Sequence, residues 1–152
     1  EVSTWAGEKP EDEYDWEKKT WTVASFSSEW NPDWTPNKLI DGNKNSTWHT
    51  ALNGMPQWFV IDMKKSRPAI KGFLIWLRQE DHGNDPKHVI FSISEDNKEW
   101  KEVLEVKEMS KDYTIELDYK VTNPTPGRYF KVEIKSNWAG GSWTYLGEIS
   151  TY

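Results

Sequence analysis

The chain has 152 residues, a net charge of −6, no cysteine and eleven tryptophans. That length fits one domain with a small appendage and can bury about two-thirds of its unfolded surface without disulfides. Absence of cysteine excludes a disulfide framework, a thiolate metal site and a cysteine nucleophile, and the acidic balance argues against nucleic acid or anionic lipid as partner.

Residues 1–20 are polar and acidic, with no clear periodicity. Residues 1–19 therefore read as an acidic linker or leader, whose Trp5 and Trp16 can dock onto the body, and residues 20–152 as the domain. WTVASF (21–26) reads as a strand, and PQWFVIDM (56–63) as a central strand apolar on both faces. AIKGFLIWLR (69–78), HVIFSIS (88–94) and EVLEVK (102–107) follow. YTIEL (113–117) alternates, which predicts Tyr113, Ile115 and Leu117 inward, and TNPTPG predicts a turn. RYFKVEIKS (128–136) points Phe130, Val132 and Ile134 inward, and YLGEISTY (145–152) closes the chain. About eight short strands without an amphipathic helix predict an all-β fold, an antiparallel β-sandwich or jelly roll. No apolar run approaches the roughly 18 residues of a membrane span, so no membrane insertion is expected.

The long loops 27–57, 79–87 and 136–144 hold Trp30, Trp34, His49, His82, Asn84, Trp138 and Trp143. Tryptophans in polar, glycine-rich loops are not explained by strand packing. A rigid aromatic face beside a few convergent polar groups suits a ligand with a flat apolar side and polar edges, such as a sugar ring. Trp138 and Trp143 flank AGGS, which makes them the first choice for a stacking platform. Trp30 and Trp34 can form a second wall or lids over the sandwich end. Arg78 can meet hydroxyls or pair with Glu80 or Asp81, and His49 can be structural or a ligand contact.

LIDGN (39–43), STWHT (46–50), PQWFVIDM, SISEDNKEWKEV (92–103), RYFKVEI (128–134) and GEISTY (147–152) fall in an order that resembles the F5/8 type C, or discoidin-like, domain. The resemblance covers about residues 20–152 and is nearest to bacterial carbohydrate-binding modules of family 32, such as those appended to secreted hexosaminidases and chitobiases. It departs at EDNKEW, where the family places Asp-Gly; Asn97 can take the same left-handed conformation. Trp48 of STWHT is expected in the core.

The resemblance implies a non-catalytic, monomeric module that docks a parent glycoside hydrolase onto glycan, in a bacterial extracytoplasmic setting. The acidic leader is then a linker from a catalytic domain. The resemblance also implies structural calcium held by the side chains of Asp41 and Glu148, by Thr47, and by main-chain oxygens of Lys38, Asn43 and Gly147. An alternative is that LIDGN is only a turn capped by Asp41. Galactose-binding relatives carry an Asn about five residues after the Arg; here position 83 is Gly and Asn84 comes one later, with His82 a substitute partner. Alternative functions are a protein- or lipid-surface adhesion module and a degenerate spacer. Catalysis is not expected, since the chain has three histidines and no G-x-S-x-G, HExxH or P-loop.

Overall fold

The computed structural model describes residues 18–152; residues 1–17, with Trp5 and Trp16, lie outside the described residues. The described chain forms eight strands: β1 (Thr22–Phe26), β2 (Trp48–His49), β3 (Gln57–Trp76), β4 (Pro86–Ser94), β5 (Lys101–Val106), β6 (Leu117–Asn137), β7 (Tyr145–Leu146) and β8 (Glu148–Thr151). Two 3₁₀ turns, Pro32–Trp34 and Pro36–Ile40, lie between β1 and β2. The larger sheet runs β1-β3-β6-β4-β5 with β8 also on β3, and β2 pairs β7. Every pairing is antiparallel, as the all-β sandwich expectation requires.

Two long strands carry the architecture. β3 pairs through Phe59–Asp62 with β1 and through Phe73–Trp76 with β8, while β6 follows it along both stretches. Between these stretches the β3–β6 register shifts three times, and Lys64 has φ 68°. Strands that bend from one layer into the other form the corners of a sandwich. The bend is fastened by Asp62, which accepts from Lys64 N–H at 2.7 Å and from Arg128 Nε and Nη2 at 2.8 and 3.0 Å. Hydrogen bonding from Arg128 holds the Asp62 carboxyl below its usual range. Alternation along the strands buries Phe59, Ile61, Met63, Phe73, Ile75, Phe91, Ile93, Phe130, Val132 and Ile134 at 2% exposure or less.

Three expectations are corrected. PQWFVIDM and AIKGFLIWLR are one strand, and TNPTPG lies inside β6 rather than reversing the chain. Both prolines fall where the ladder is already interrupted, which is where a strand tolerates them. YTIEL is not a strand before Leu117: Tyr113 and Ile115 are 39% and 52% exposed, and only Leu117 is buried. Asp112 Oδ1 instead accepts from Thr114 N–H and Oγ1 at 3.0 and 2.5 Å, and this local turn wins over strand pairing. Trp48 is fully buried as expected, and Asn97 takes φ 63°.

Candidate functional site

Loops at one end of the sandwich line an open cavity of about 610 Å³, within the range of ligand pockets. Trp30, His49, Arg78, His82, Asn84 and Trp143 line it, together with Leu52, Asp81, Gly83 and Tyr145. The structure thus gathers six of the eight residues singled out for glycan contact. Trp34 stands just behind, 5.8 Å from the Trp30 ring, and lines an adjoining recess of about 170 Å³ with Arg78. Trp138 is not among the lining residues.

Each wall is fixed by main-chain hydrogen bonds. Trp30 N–H donates to His49 O at 2.8 Å, which ties the loop after β1 to β2 while Trp30 stays 49% exposed. The loop before β7 is organised by Asn137, whose Nδ2 donates to Gly141 O at 3.1 Å and Trp143 O at 2.7 Å. Asn84 Nδ2 also donates to Trp143 O, at 3.1 Å, joining two loops. A Cβ on Gly141 would lie 2.8 Å from that Nδ2, so the glycine permits the contact. Tyr145 hydroxyl accepts from Asn84 N–H at 2.7 Å and donates to Asp81 O. Asn84 therefore serves chiefly to hold loops together, at 9% exposure.

His49 forms much of the floor and is only 5% exposed. Its ring lies 4.7 Å from Trp30, 5.6 Å from Trp34, 5.7 Å from Tyr145 and 6.3 Å from Trp143, nearly parallel to the last at 16°. Nδ1 lies 2.7 Å from Thr50 O. A carbonyl only accepts, so the neutral ring carries its proton on Nδ1 and leaves Nε2 as an acceptor. Burial lowers the His49 pKa, Arg78 lowers it further, and the Thr50 contact works against both. The ring is thus neutral at pH 7, able to receive a hydroxyl proton.

Arg78 is the cation of the site. Its guanidinium carbon lies 5.1 Å from the Trp34 ring and 4.7 Å from the Tyr145 ring. The side chain is 13% exposed, and its ion pair with Asp81 is long, at 3.4 Å. His82 stacks on Tyr113 at 3.8 Å and 16°.

Trp138 faces elsewhere. Its Nε1 donates to Met109 O at 3.0 Å, and Lys87 and Lys111 lie over its ring at 4.9 and 4.6 Å. Its main-chain N–H donates to Asp85 O at 3.0 Å. Asp85 is fully buried, and neither carboxylate oxygen has a hydrogen-bond partner. Burial pushes its pKa up to about 7, against the attraction of Arg78 and Lys111. The folded state therefore keeps the Asp85 proton over pH values where the unfolded chain, at 3.8, has lost it. Stability falls as pH rises from about 4 to 7 and then levels off. Asp85→Asn should raise the melting temperature at pH 8 by roughly 4–8 °C, from on the order of 2 kcal/mol. The gain should shrink as pH falls and vanish below about pH 4. Thermal melts of both proteins across that range check it, and a pH-independent difference would contradict it.

Of the residues expected to hold an ion, Lys38, Asp41 and Asn43 meet around Ser46. Ser46 Oγ lies 3.3 Å from Lys38 O, 2.6 Å from Asp41 Oδ2 and 2.9 Å from Asn43 O. Ser46 thus stands at the oxygen cluster, and Thr47, buried beside it, lines the smaller recess together with Ser46 and Lys38. Glu148 Oε2 accepts from Gly42 N–H at 2.9 Å and pairs with Lys18, while Glu148 Oε1 is buried without a partner. Lys18 also donates to Ser150 Oγ at 2.9 Å. Burial pushes Glu148 up to about 7 even with Lys18 beside it. A Cβ on Gly147 would lie 2.9 Å from Trp76 O and Leu77 O and 3.1 Å from Lys44 O, so only glycine fits. Among the described residues no three His, Asp or Glu side chains come together. A hard cation here would draw largely on carbonyl and hydroxyl oxygens, which calcium accepts.

Sequence reasoning missed Tyr145, Leu52, Gly83 and Ser46, and named Asp81 only as a partner of Arg78, with which it pairs. Tyr145 was legible only as part of a closing strand, and Leu52 carried no aromatic or charged signal.

The model of the F5/8 type C domain family matches residues 23–149, and the chain belongs to that family. A galactose oxidase of Gibberella zeae is 29% identical over 123 residues, which cover 76% of this chain and 18% of that protein. The chain therefore spans less than a fifth of the curated relative's length. The C-terminal domain of a chitobiase from Bacteroides fragilis superposes with a TM-score of 0.78 at 24% identity, covering 90% of this chain and 95% of that one. A family 32 carbohydrate-binding module from Clostridium perfringens, solved with GalNAc-β-1,3-galactose, gives 0.78 at 19% identity, covering 90% and 97%.

Proposed function

We propose that this domain is a non-catalytic carbohydrate-binding module whose ligand sits in the cavity between Trp30 and Trp143. The observation that carries the reading is the chemistry of that cavity: the Trp30 and Trp143 indoles beside a neutral His49 and the Arg78 guanidinium. A pyranose presents a C–H face and a rim of hydroxyls, and these groups answer both. The likeness to a module solved with a disaccharide supports the same reading. Asp81 is the one carboxylate among the lining residues. Glycoside hydrolysis uses a pair about 5–9.5 Å apart, so the cavity is built for binding.

The domain would be tethered to a glycoside hydrolase outside the cytoplasm, as the likeness to a chitobiase C-terminal domain suggests. No helix among the described residues is long and apolar enough to cross a membrane. Glycan-array binding by the domain tests the reading. Signal on a coherent set of glycans is expected, and liposome binding with a blank array would contradict it.

Calcium is the second part of the proposal. Asp41, Ser46, Glu148 and the carbonyls of Lys38, Asn43 and Gly147 would hold it, and its role would be to stiffen the segment from Pro36 to Trp48. Extracellular modules bind calcium at about 10⁻⁴–10⁻³ M. At 10 mM calcium the gain is then roughly 1.4–2.7 kcal/mol, or about 3–10 °C in melting temperature. EDTA should lower the melting temperature and excess calcium restore it. Lys18→Met, which removes the positive charge on Glu148, should enlarge the calcium response. Identical melting curves with EDTA and calcium in both proteins would contradict the site.

A further inference from the structure

We propose that the smaller recess is a second sugar subsite, so that the domain reads two successive residues of a neutral glycan rather than one terminal sugar. The inference rests on the glycan reading above and extends its site.

The recess, about 170 Å³, adjoins the cavity and shares Arg78 with it. A space well under about 300 Å³ does not hold a ligand alone and suits an annex to a larger pocket. Its walls are set by local turns. Asn31 Oδ1 accepts from Asp33 N–H at 2.9 Å, and Asn31 O from Trp34 N–H at 2.9 Å. Lys38 N–H donates to Thr35 O at 3.1 Å, and Asn45 N–H to Asn43 Oδ1 at 2.9 Å. These bonds use the main-chain groups of Asp33, Lys38 and Asn45 and leave their side chains over. Among the described residues, the side chains of Asp33, Lys38, Asn45 and Glu80 have no hydrogen-bond or ion-pair partner, and all four line the recess. Gln79 beside them is committed instead, its Nε2 donating to Leu77 O and Tyr113 O at 2.8 and 2.9 Å.

Two observations name the ligand. The first is the mixture of groups: Asp33 and Glu80 accept, Lys38 and Arg78 donate, and Asn45 does both. Hydroxyls use both kinds of partner. Two carboxylates against two cations also suit an uncharged polyol better than an ion of either sign. The second is the aromatic wall. Trp30 lines the cavity and Trp34 the recess, with ring centroids 5.8 Å apart. Two successive rings of one glycan can therefore each meet an indole, with Arg78 between them. Its guanidinium carries enough N–H donors to serve hydroxyls on both sides.

Calorimetric titration tests this with glucose, galactose and N-acetylglucosamine against cellobiose, lactose and N,N′-diacetylchitobiose, and with digalacturonate. Wild type should bind at least one neutral disaccharide about tenfold tighter than either component sugar, the gain from about two net hydrogen bonds at exposed groups. The double variant Asp33→Ala, Glu80→Ala should cut that gain to about twofold or less. Both side chains are exposed, so affinity for the single sugars and the melting temperature should stay unchanged. Disaccharides bound no tighter than their component sugars in every pair, or a gain kept in full by the double variant, would overturn the second subsite and leave the cavity standing. Digalacturonate bound more tightly than every neutral sugar would overturn the neutral class. Silence of wild type toward all seven sugars would overturn the glycan reading, and the inference with it.

Discussion

Trp143→Ala is expected to weaken glycan binding by about 30-fold or more while moving the melting temperature little. A tryptophan anchor at the centre of a site is commonly worth 2 kcal/mol or more. The reason for expecting an intact fold is specific. The loop is held through the Trp143 main-chain oxygen, which accepts from Asn84 and Asn137, and alanine keeps that oxygen. Trp138→Ala is the contrasting variant. It removes the hydrogen bond to Met109 O and the ring under Lys87 and Lys111, so its loss should appear as stability rather than affinity. Calorimetry and thermal melts on both variants check the pair. Normal binding by Trp143→Ala would misplace the platform.

The second large effect is expected at Arg78. Arg78→Ala removes a charged donor shared by the main cavity and the smaller recess. Charge-assisted hydrogen bonds are worth about 1.5–3 kcal/mol, so affinity should fall roughly 10- to 150-fold. Arg78→Lys should recover little. The guanidinium plane is held between the Trp34 and Tyr145 rings, and an ammonium neither stacks so nor offers a fork of donors. Asp81→Ala should matter much less, because that ion pair is long and its carboxylate is exposed. Recovery of full affinity by Arg78→Lys would show that charge alone suffices.

Most of the sandwich was legible because half-buried strands alternate. Phe130, Val132 and Ile134 point inward as their spacing predicts. The continuity of β3 and β6 was not legible. Lys64–Pro68 and Asn123–Gly127 carry turn residues, yet they mark bends shared by two paired strands. Tyr113 and Ile115 alternate like a strand, but Asp112 captures the backbone first.

The cavity was legible through its aromatic and charged loop residues, since six of the eight come together. The pairing of Trp138 with Trp143 was not. Both flank the same glycines, and their faces diverge because the chain turns at Gly140, with φ 70°, around the Asn137 side chain. Leu52 and Tyr145 escaped because an aliphatic loop residue and a strand tyrosine look ordinary until the loops close around them. Ser46 escaped because spacing along LIDGN and STWHT does not say which hydroxyl faces the carbonyls.

The central claim is that the ligand lies between Trp30 and Trp143 on the floor formed by His49. A crystal structure of the domain with a glycan selected on the array tests it most directly. The account predicts a sugar ring against the Trp143 or Trp30 indole, with hydroxyls within hydrogen-bond distance of Arg78 and His49 Nε2. A ring seated on Trp138, or in the recess beside Trp100 and Thr125, would contradict it.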